Sequence, residues 1–288
     1  MIYELENNII KVLDKTQFCP KHILECGQVF RYGIDENNNY FVYSNRYKAT
    51  ILEKESCYEI YSNNPEYFIN YFDLNTDYNK IKNTLKKNKI LSPMIDYGYG
   101  IRILNADTEE MIFSFIISQN NNIKRIQKII EKLCSVGEMI EDYHAFPTAK
   151  ILASEPLEFF ATLGAGYRDK FLKETADFLA TQNLDEIKKL STDEILDYLL
   201  KIKGIGPKVA SCALLFGFQR KEKFPVDTWL EQVYYNHFSN KKRTRPEIQK
   251  YFENEFGAYS GIAQQYLFYY ERTNHQKYSL KIYMKKVH

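Results

Sequence analysis

The chain has 288 residues, 44% of them hydrophobic, and a formal net charge of +2 from 39 Lys plus Arg against 37 Asp plus Glu. That size supports a sizeable core in one large domain or two smaller ones, and the near balance of charge means that any nucleic-acid footprint must be local. No run of about 18 apolar residues suggests a membrane span, and five scattered cysteines without a CxxC pair argue against a thiolate cluster and suit a reducing cytosol.

The N-terminus, MIYELENNII, lacks the basic start and apolar stretch of a secretion signal. After it come short runs rich in β-branched and aromatic residues: IIKVL, VFRYGI, YFVYS, KATILE and CYEIYS. Polar clusters at 35–39 (DENNN) and 44–46 (SNR) separate them. Such runs with short polar links predict an antiparallel meander. Residues 65–90 are lysine-rich and helical in spacing, suited to packing on that sheet or bridging onward.

From about residue 106 the pattern changes. EEMIFSFIISQ, IKRIQKIIEKLC, DKFLKETADFLA, DEILDYLLK, PKVASCALLFGF, DTWLEQVYYNHF and GIAQQYLFYYERT have helical length and roughly helical apolar spacing. Ser191, Thr192, Asp193 and Glu194 read as a capping box opening one of them. The expected fold class is α+β by segregation, with an N-terminal antiparallel sheet domain over 1–105 and an all-helical half over 106–288. Neither internal repeats nor low-complexity segments occur. The wealth of Asn, Ile, Lys and Tyr hints at an AT-rich, bacterial genome.

The most informative stretch runs over about 193–218. One helix is expected to end at Lys203, Gly204-Ile205-Gly206 to turn the chain, and Pro207 to open the next helix at the position where proline is accepted. Two glycines there let the backbone approach a ligand closely, with amides free at a helix start, which suits a phosphate. An ordinary turn between two helices has the same pattern. Lys208 falls in the first turn, where the helix dipole disfavours a cation. A lysine nucleophile needs its free amine, while a phosphate-binding lysine needs only its charge. Cys212, four residues on, shares that helix face, as a pocket residue or as a structural thiol. Asp227, in Phe224-Pro225-Val226-Asp227-Thr228-Trp229, reads as a helix N-cap, and a carboxylate held by backbone donors can also stabilise a cationic sugar.

A helix, a Gly-x-Gly hairpin, a lysine on the following helix and a Pro-Val-Asp some 17–19 residues later resemble the helix-hairpin-helix DNA glycosylases, most closely the 8-oxoguanine DNA glycosylase family. Further segments carry the resemblance in the family's order: CGQVFR at 26–31 like its early strand, SFIISQNNNIKRI at 114–126 like its triple-asparagine segment, LGAGYR at 163–168 like its Gly-Tyr-Arg loop, and GAYSGIAQ at 257–264 through Phe268 like its late helix. The resemblance implies Lys208 as nucleophile and Asp227 as its electrostatic partner. It implies that the Gly27 backbone reads the lesion, because 8-oxoguanine carries a hydrogen on N7 where guanine has a lone pair. It further implies that Gln264 bonds the Watson–Crick edge, Phe268 and Cys212 sandwich the base, and Tyr167 wedges into the duplex. Asn120, Arg125 and Arg168 would meet the orphaned base, and Gly204 and Gly206 the DNA backbone. One departure is Trp229, where the family commonly has a histidine. It cannot act as acid or base, so it stays outside the catalytic set.

The implied activity is bifunctional: excision of 8-oxoguanine from duplex DNA, then β-elimination at the abasic site through a Schiff base. No cofactor or metal is implied, and there is no cysteine after Cys212 for an iron–sulfur cluster. The expected partner is double-stranded DNA containing 8-oxoguanine, engaged by a monomer in the cytoplasm, at the bacterial nucleoid. The basic run at 241–245 (KKRTR) is a further phosphate candidate, or a solvated loop. Two other readings remain: a related glycosylase for alkylated bases, whose members typically lack the lysine, and a non-catalytic DNA-binding helix-hairpin-helix protein.

Overall fold

A computed structural model describes residues 3–286, with side chains described as far as Asn274. Strands β1 (Tyr3–Glu6) and β2 (Ile9–Val12) form a hairpin, followed by a short helix α1 (Pro20–Leu24) and strands β3 (Tyr32–Ile34), β4 (Tyr40–Ser44), β5 (Tyr47–Glu53) and β6 (Tyr58–Ser62). All neighbouring pairs are antiparallel, in the order β1-β2-β6-β5-β4-β3. The sheet is therefore a four-strand meander with the first hairpin returned against β6, rather than one continuous meander.

Period-two alternation puts one face of this sheet inside. Ile10 lies opposite Ile60, Ile60 opposite Ile51, and Val42 opposite Ala49, all buried. Helices α2 (Pro65–Tyr71), α3 (Tyr78–Leu85) and α4 (Ser92–Tyr97) follow. Phe72, just past α2, meets Phe18 edge-on at 5.3 Å. The buried Arg102 fastens the exit from this half. It donates to the carbonyls of Phe72 (2.9 Å), Gln17 (3.0 Å), Thr76 (2.8 Å) and Asp73, and lies 4.1 Å from the Tyr78 ring centroid.

The CGQVFR segment is a turn and an irregular extended stretch rather than the strand expected, with β3 beginning only at Tyr32. Gly27 sits at φ +85°, a left-handed conformation that ends strand geometry. The buried Gln28 side chain supplies the missing cross-links, donating to the carbonyls of Ile23 (2.9 Å) and Arg102 (2.8 Å) and accepting from the Leu104 amide (2.9 Å).

Helices α5 (Thr108–Ser118) and α6 (Ile123–Cys134) begin the second half. That half is not wholly helical, because Met139–Ile140 (β7) and Tyr143–His144 (β8) form a small hairpin. It docks beside the first sheet through the Phe146 amide on the Asn45 carbonyl (2.9 Å) and the Arg46–Glu138 ion pair (2.9 Å). Helices α7 (Ala149–Ser154), α8 (Leu157–Thr162), α9 (Asp169–Leu179), α10 (Leu184–Ile187), α11 (Thr192–Leu200), α12 (Pro207–Phe216), α13 (Thr228–Val233), α14 (Arg245–Phe256) and α15 (Ser260–Lys286) complete the architecture. α5 is apolar nearly all round and buried, as a central helix must be. It packs on α12, and the Thr108 hydroxyl fixes its start by donating to the Gly217 carbonyl (2.9 Å). α15 packs on α13 and reaches back to α4 in the first half. Its residues Gln264, Phe268 and Arg272, four apart, lie on one helix face.

Candidate active site

The hairpin forms as its glycines require, with one shift. Ser191 and Glu194 make the reciprocal capping box that opens α11. The helix ends at Leu200 rather than Lys203, because turns from Ile202 to Leu199 and from Ile205 to Ile202 (both 3.0 Å) take over. Gly204 is left-handed at φ +91°, and a Cβ there would stand 2.4 Å from Cγ of Phe171. Gly206 is different. It caps α12 with φ −90° and ψ 176°, and a Cβ would meet nothing within 4 Å. The exposed, open backbone at Gly206 is therefore a part of the hairpin that a phosphate can approach, while the lack of a side chain at Gly204 serves packing against Phe171.

On α12, Lys208 is half-buried, with Nζ 5.4 Å from the centroid of Phe115 on α5. Phe115 in turn stacks on Phe216 at 5.3 Å. Cys212 is buried one turn further along. Burial pushes its thiol up and the nearby Lys208 charge opposes this only in part, so Cys212 is a neutral apolar wall. Asp227 caps α13, with Oδ1 accepting from the Leu230 amide at 3.0 Å. The cap and a functional carboxylate coexist, since that bond engages one oxygen.

Three cavities converge on Lys208 and Asp227. A groove of about 400 Å³ holds them with Asn120, Gly206, Trp229 and Arg245. A cleft of about 890 Å³ adds Gly27, Tyr32, Phe268 and Arg272. An inner pocket of about 40 Å³ joins them to Gly27, Cys212, Gln264 and Phe268. The pocket thus gathers all the residues expected to hold the base, from opposite ends of the chain. Gln264 is buried there and its Oε1 accepts from Gln265 Nε2 at 2.8 Å.

The residues expected to meet the duplex flank this centre. Asn120 is exposed at φ +45° in the loop between α5 and α6. Asn122 is the N-cap of α6, accepting from the Arg125 amide at 3.0 Å. Arg125 is exposed and donates to the Gly164 carbonyl at 3.0 Å. Tyr167 projects into solvent at 55% exposure. Arg168 turns inward instead. It is buried beneath the Tyr167 ring, 4.3 Å from its centroid, and donates to the carbonyls of Ala165 (2.8 Å), Gln119 and Asn120 (3.3 Å). Gln119 Nε2 then donates to the Gly204 carbonyl at 3.1 Å. Tyr167, the asparagine loop and the hairpin are thus one connected surface. In the basic run, Arg245 pairs with Glu231 (2.9 Å) at the groove, whereas Lys241 and Lys242 are exposed.

Phe115 and Arg272 were not legible as site residues. A phenylalanine within an apolar helix reads as core, and an arginine near a helix end reads as surface. Only the crossing of α5 beneath α12, and of α15 over the Gly27 turn, gives them their places.

Comparison with known proteins gives two family matches: residues 11–112 match the model described as 8-oxoguanine DNA glycosylase, N-terminal domain, and residues 113–257 match the HhH-GPD superfamily base excision DNA repair protein. The "N-glycosylase/DNA lyase" of Saccharomyces cerevisiae is 30% identical, over 77% of this chain and 68% of that protein. A "probable N-glycosylase/DNA lyase" of Methanothermobacter thermautotrophicus is 28% identical, over 70% of this chain and 73% of that protein. The 8-oxoguanine glycosylase/lyase of Clostridium acetobutylicum, solved with duplex DNA carrying cytosine opposite 8-oxoguanine, is 36% identical with a TM-score of 0.89, over 96% of this chain and 99% of that one.

Proposed function

This chain belongs to the 8-oxoguanine DNA glycosylases of the helix-hairpin-helix base-excision repair superfamily, and on that premise we propose that Lys208 and Asp227 carry its chemistry in the pocket closed by Gly27, Cys212, Gln264 and Phe268. The protein is a bifunctional enzyme: it excises 8-oxoguanine from duplex DNA and cleaves the resulting abasic strand. The observation that carries the residue assignment is the pocket that Lys208 and Asp227 share with Gly27 and Phe268.

The inner pocket, at about 40 Å³, has room for little more than water. The base must leave its stack and displace the Phe268 side to enter. Tyr167, exposed on its pinned loop, fills the gap in the duplex. Asn120 and Arg125 stand where the orphaned base lies, and Arg168 supports them by fixing the loop's carbonyls. Lys208 gives up a proton, which the departing base can take, and its amine forms a C–N bond to the anomeric carbon as the glycosidic bond breaks and the base departs with its electron pair. Asp227 stabilises the positive charge developing on the sugar. Ring opening gives the Schiff base; loss of a C2′ proton then expels the 3′ phosphate. Gly206 and the amides opening α12 hold the DNA backbone.

One chain supplies every residue of this site, so a monomer suffices. We divide it at 105/106 into a sheet-bearing part that contributes Gly27 and a helical part that contributes the hairpin. Its place of action is that of duplex DNA, which in a bacterial cell is the nucleoid in the cytoplasm.

The test is a panel of duplexes carrying 8-oxoguanine, 3-methyladenine or only normal bases, read for free base and for strand cleavage. Release of 8-oxoguanine with coupled cleavage is expected. Excision of the alkylated base alone would replace this reading with the alkylated-base one.

A further inference from the structure

Arg272 is bound to both halves of the lesion pocket. Its guanidinium donates to the carbonyl of Glu25, two residues before Gly27, and lies 5.3 Å from the centroid of Phe268, one helical turn back on α15. A Cβ on Gly27 would stand 3.1 Å from Cε1 of Phe268 and 3.2 Å from Nη1 of Arg272. Turn, ring and guanidinium are therefore in mutual contact. Arg272 Nε is buried without a hydrogen-bond partner among the described residues, and the side chain lines the about 890 Å³ cleft with Gly27, Tyr32 and Phe268.

The Glu25–Gly27 turn has a left-handed residue and belongs to no strand or helix; the Glu25 amide on the Lys21 carbonyl and the Gln28 side chain tie its ends, and a tie from α15 would hold the Glu25 carbonyl as well. A charge-assisted bond from a planar cation does so, and the flat face of that cation can support an aromatic ring at the same time. We propose that Arg272 is a positioning residue for lesion recognition: it anchors the Gly27 turn through the Glu25 carbonyl and backs the Phe268 ring, so that the turn keeps its orientation as the ring gives way to the flipped base. The proposal rests on the assignment of this pocket to the base. Discrimination by one hydrogen bond at Gly27 depends on that orientation, since hydrogen bonds weaken steeply with misalignment. Strand cleavage at a preformed abasic site needs Lys208 and Asp227 but no base in the pocket.

Arg272→Ala and Arg272→Lys should be compared with the unsubstituted chain in single-turnover excision of 8-oxoguanine and in cleavage of duplex with a preformed abasic site. Arg272→Ala should lose about tenfold or more in excision, the scale of one specific hydrogen bond, with abasic cleavage within about twofold. Arg272→Lys should recover part of the excision, because an ammonium can reach the Glu25 carbonyl but offers no flat face. Equal losses in both activities would make Arg272 merely structural and overturn the proposal, as would unchanged excision in Arg272→Ala. An unsubstituted chain that cleaves abasic duplex yet never releases 8-oxoguanine would instead remove the base-pocket assignment beneath it.

Discussion

Alanine at the two hairpin glycines should separate packing from DNA contact. Gly204→Ala places a methyl group 2.4 Å from Cγ and 2.6 Å from Cβ of Phe171, at φ +91°. A left-handed alanine costs about 1–2 kcal/mol and overpacking about 1–3 kcal/mol, so the loss should be about 2–5 kcal/mol out of the roughly 5–15 kcal/mol typical of a folded protein. Urea unfolding measures it. Adding Phe171→Ala removes the ring contacts but keeps the Cβ contact at 2.6 Å and the backbone strain, so a double-mutant cycle should show favourable coupling of only about 0.5–2 kcal/mol. Gly206→Ala has neither problem, with φ −90° and an empty Cβ position. The unfolded-state gain of about 0.4–1 kcal/mol is offset by alanine being a poorer N-cap than glycine, so its stability should shift by less than about 1 kcal/mol. Its methyl group nevertheless stands where a phosphate would meet the start of α12, so affinity for undamaged duplex should fall about tenfold, roughly 1.4 kcal/mol. Fluorescence anisotropy reads this. A Gly204→Ala protein of normal stability would refute the packing argument, and a Gly206→Ala protein that grips DNA normally would remove the hairpin from the footprint.

Asp227→Asn keeps a side-chain oxygen for the Leu230 amide and so should fold normally, while excision slows by about a hundredfold or more; normal single-turnover excision would remove Asp227 from the chemistry. Glu110 is fully buried, and burial raises its carboxyl from an ordinary 4.5 to about 7, against the opposing pull of Arg31. Below about 4.5 the group is protonated folded and unfolded; above about 7 it is ionised in both and the burial penalty is present in full. Stability should therefore fall through that window by roughly 3 kcal/mol, and Glu110→Gln should gain on the unsubstituted chain by that amount between pH 5 and 8 in urea melts; a pH-independent difference would mean the carboxyl is not so buried. Duplex affinity should fall with salt, log against log, as phosphate contacts require; a flat titration would leave no electrostatic footprint.

The sheet-then-helices plan was legible because periodicity reports burial directly: Ala49 and Ile51 alternate inward on β5, and a continuous apolar run marks α5 as central. β1 escaped because its four residues, YELE, lie at an edge with three of them exposed. The β7–β8 hairpin is two residues a side, too short to show a period. The hairpin was readable because glycine and proline carry local backbone instructions, and its early helix end shows how far those instructions reach. Arginines carry none. The Arg168 Nη donors go to protein carbonyls rather than outward, and nothing local to Gly-Tyr-Arg says which. Phe115 and Arg272 owe their places to helix crossings between segments more than ninety residues apart, so their roles exist only in the folded chain.

The most direct test is borohydride reduction during reaction with 8-oxoguanine duplex, followed by peptide mapping of the trapped protein. A Schiff base on Lys208 predicts one covalent DNA adduct, on that residue, abolished by Lys208→Gln. An active enzyme that yields no adduct, or an adduct that survives Lys208→Gln, would contradict it.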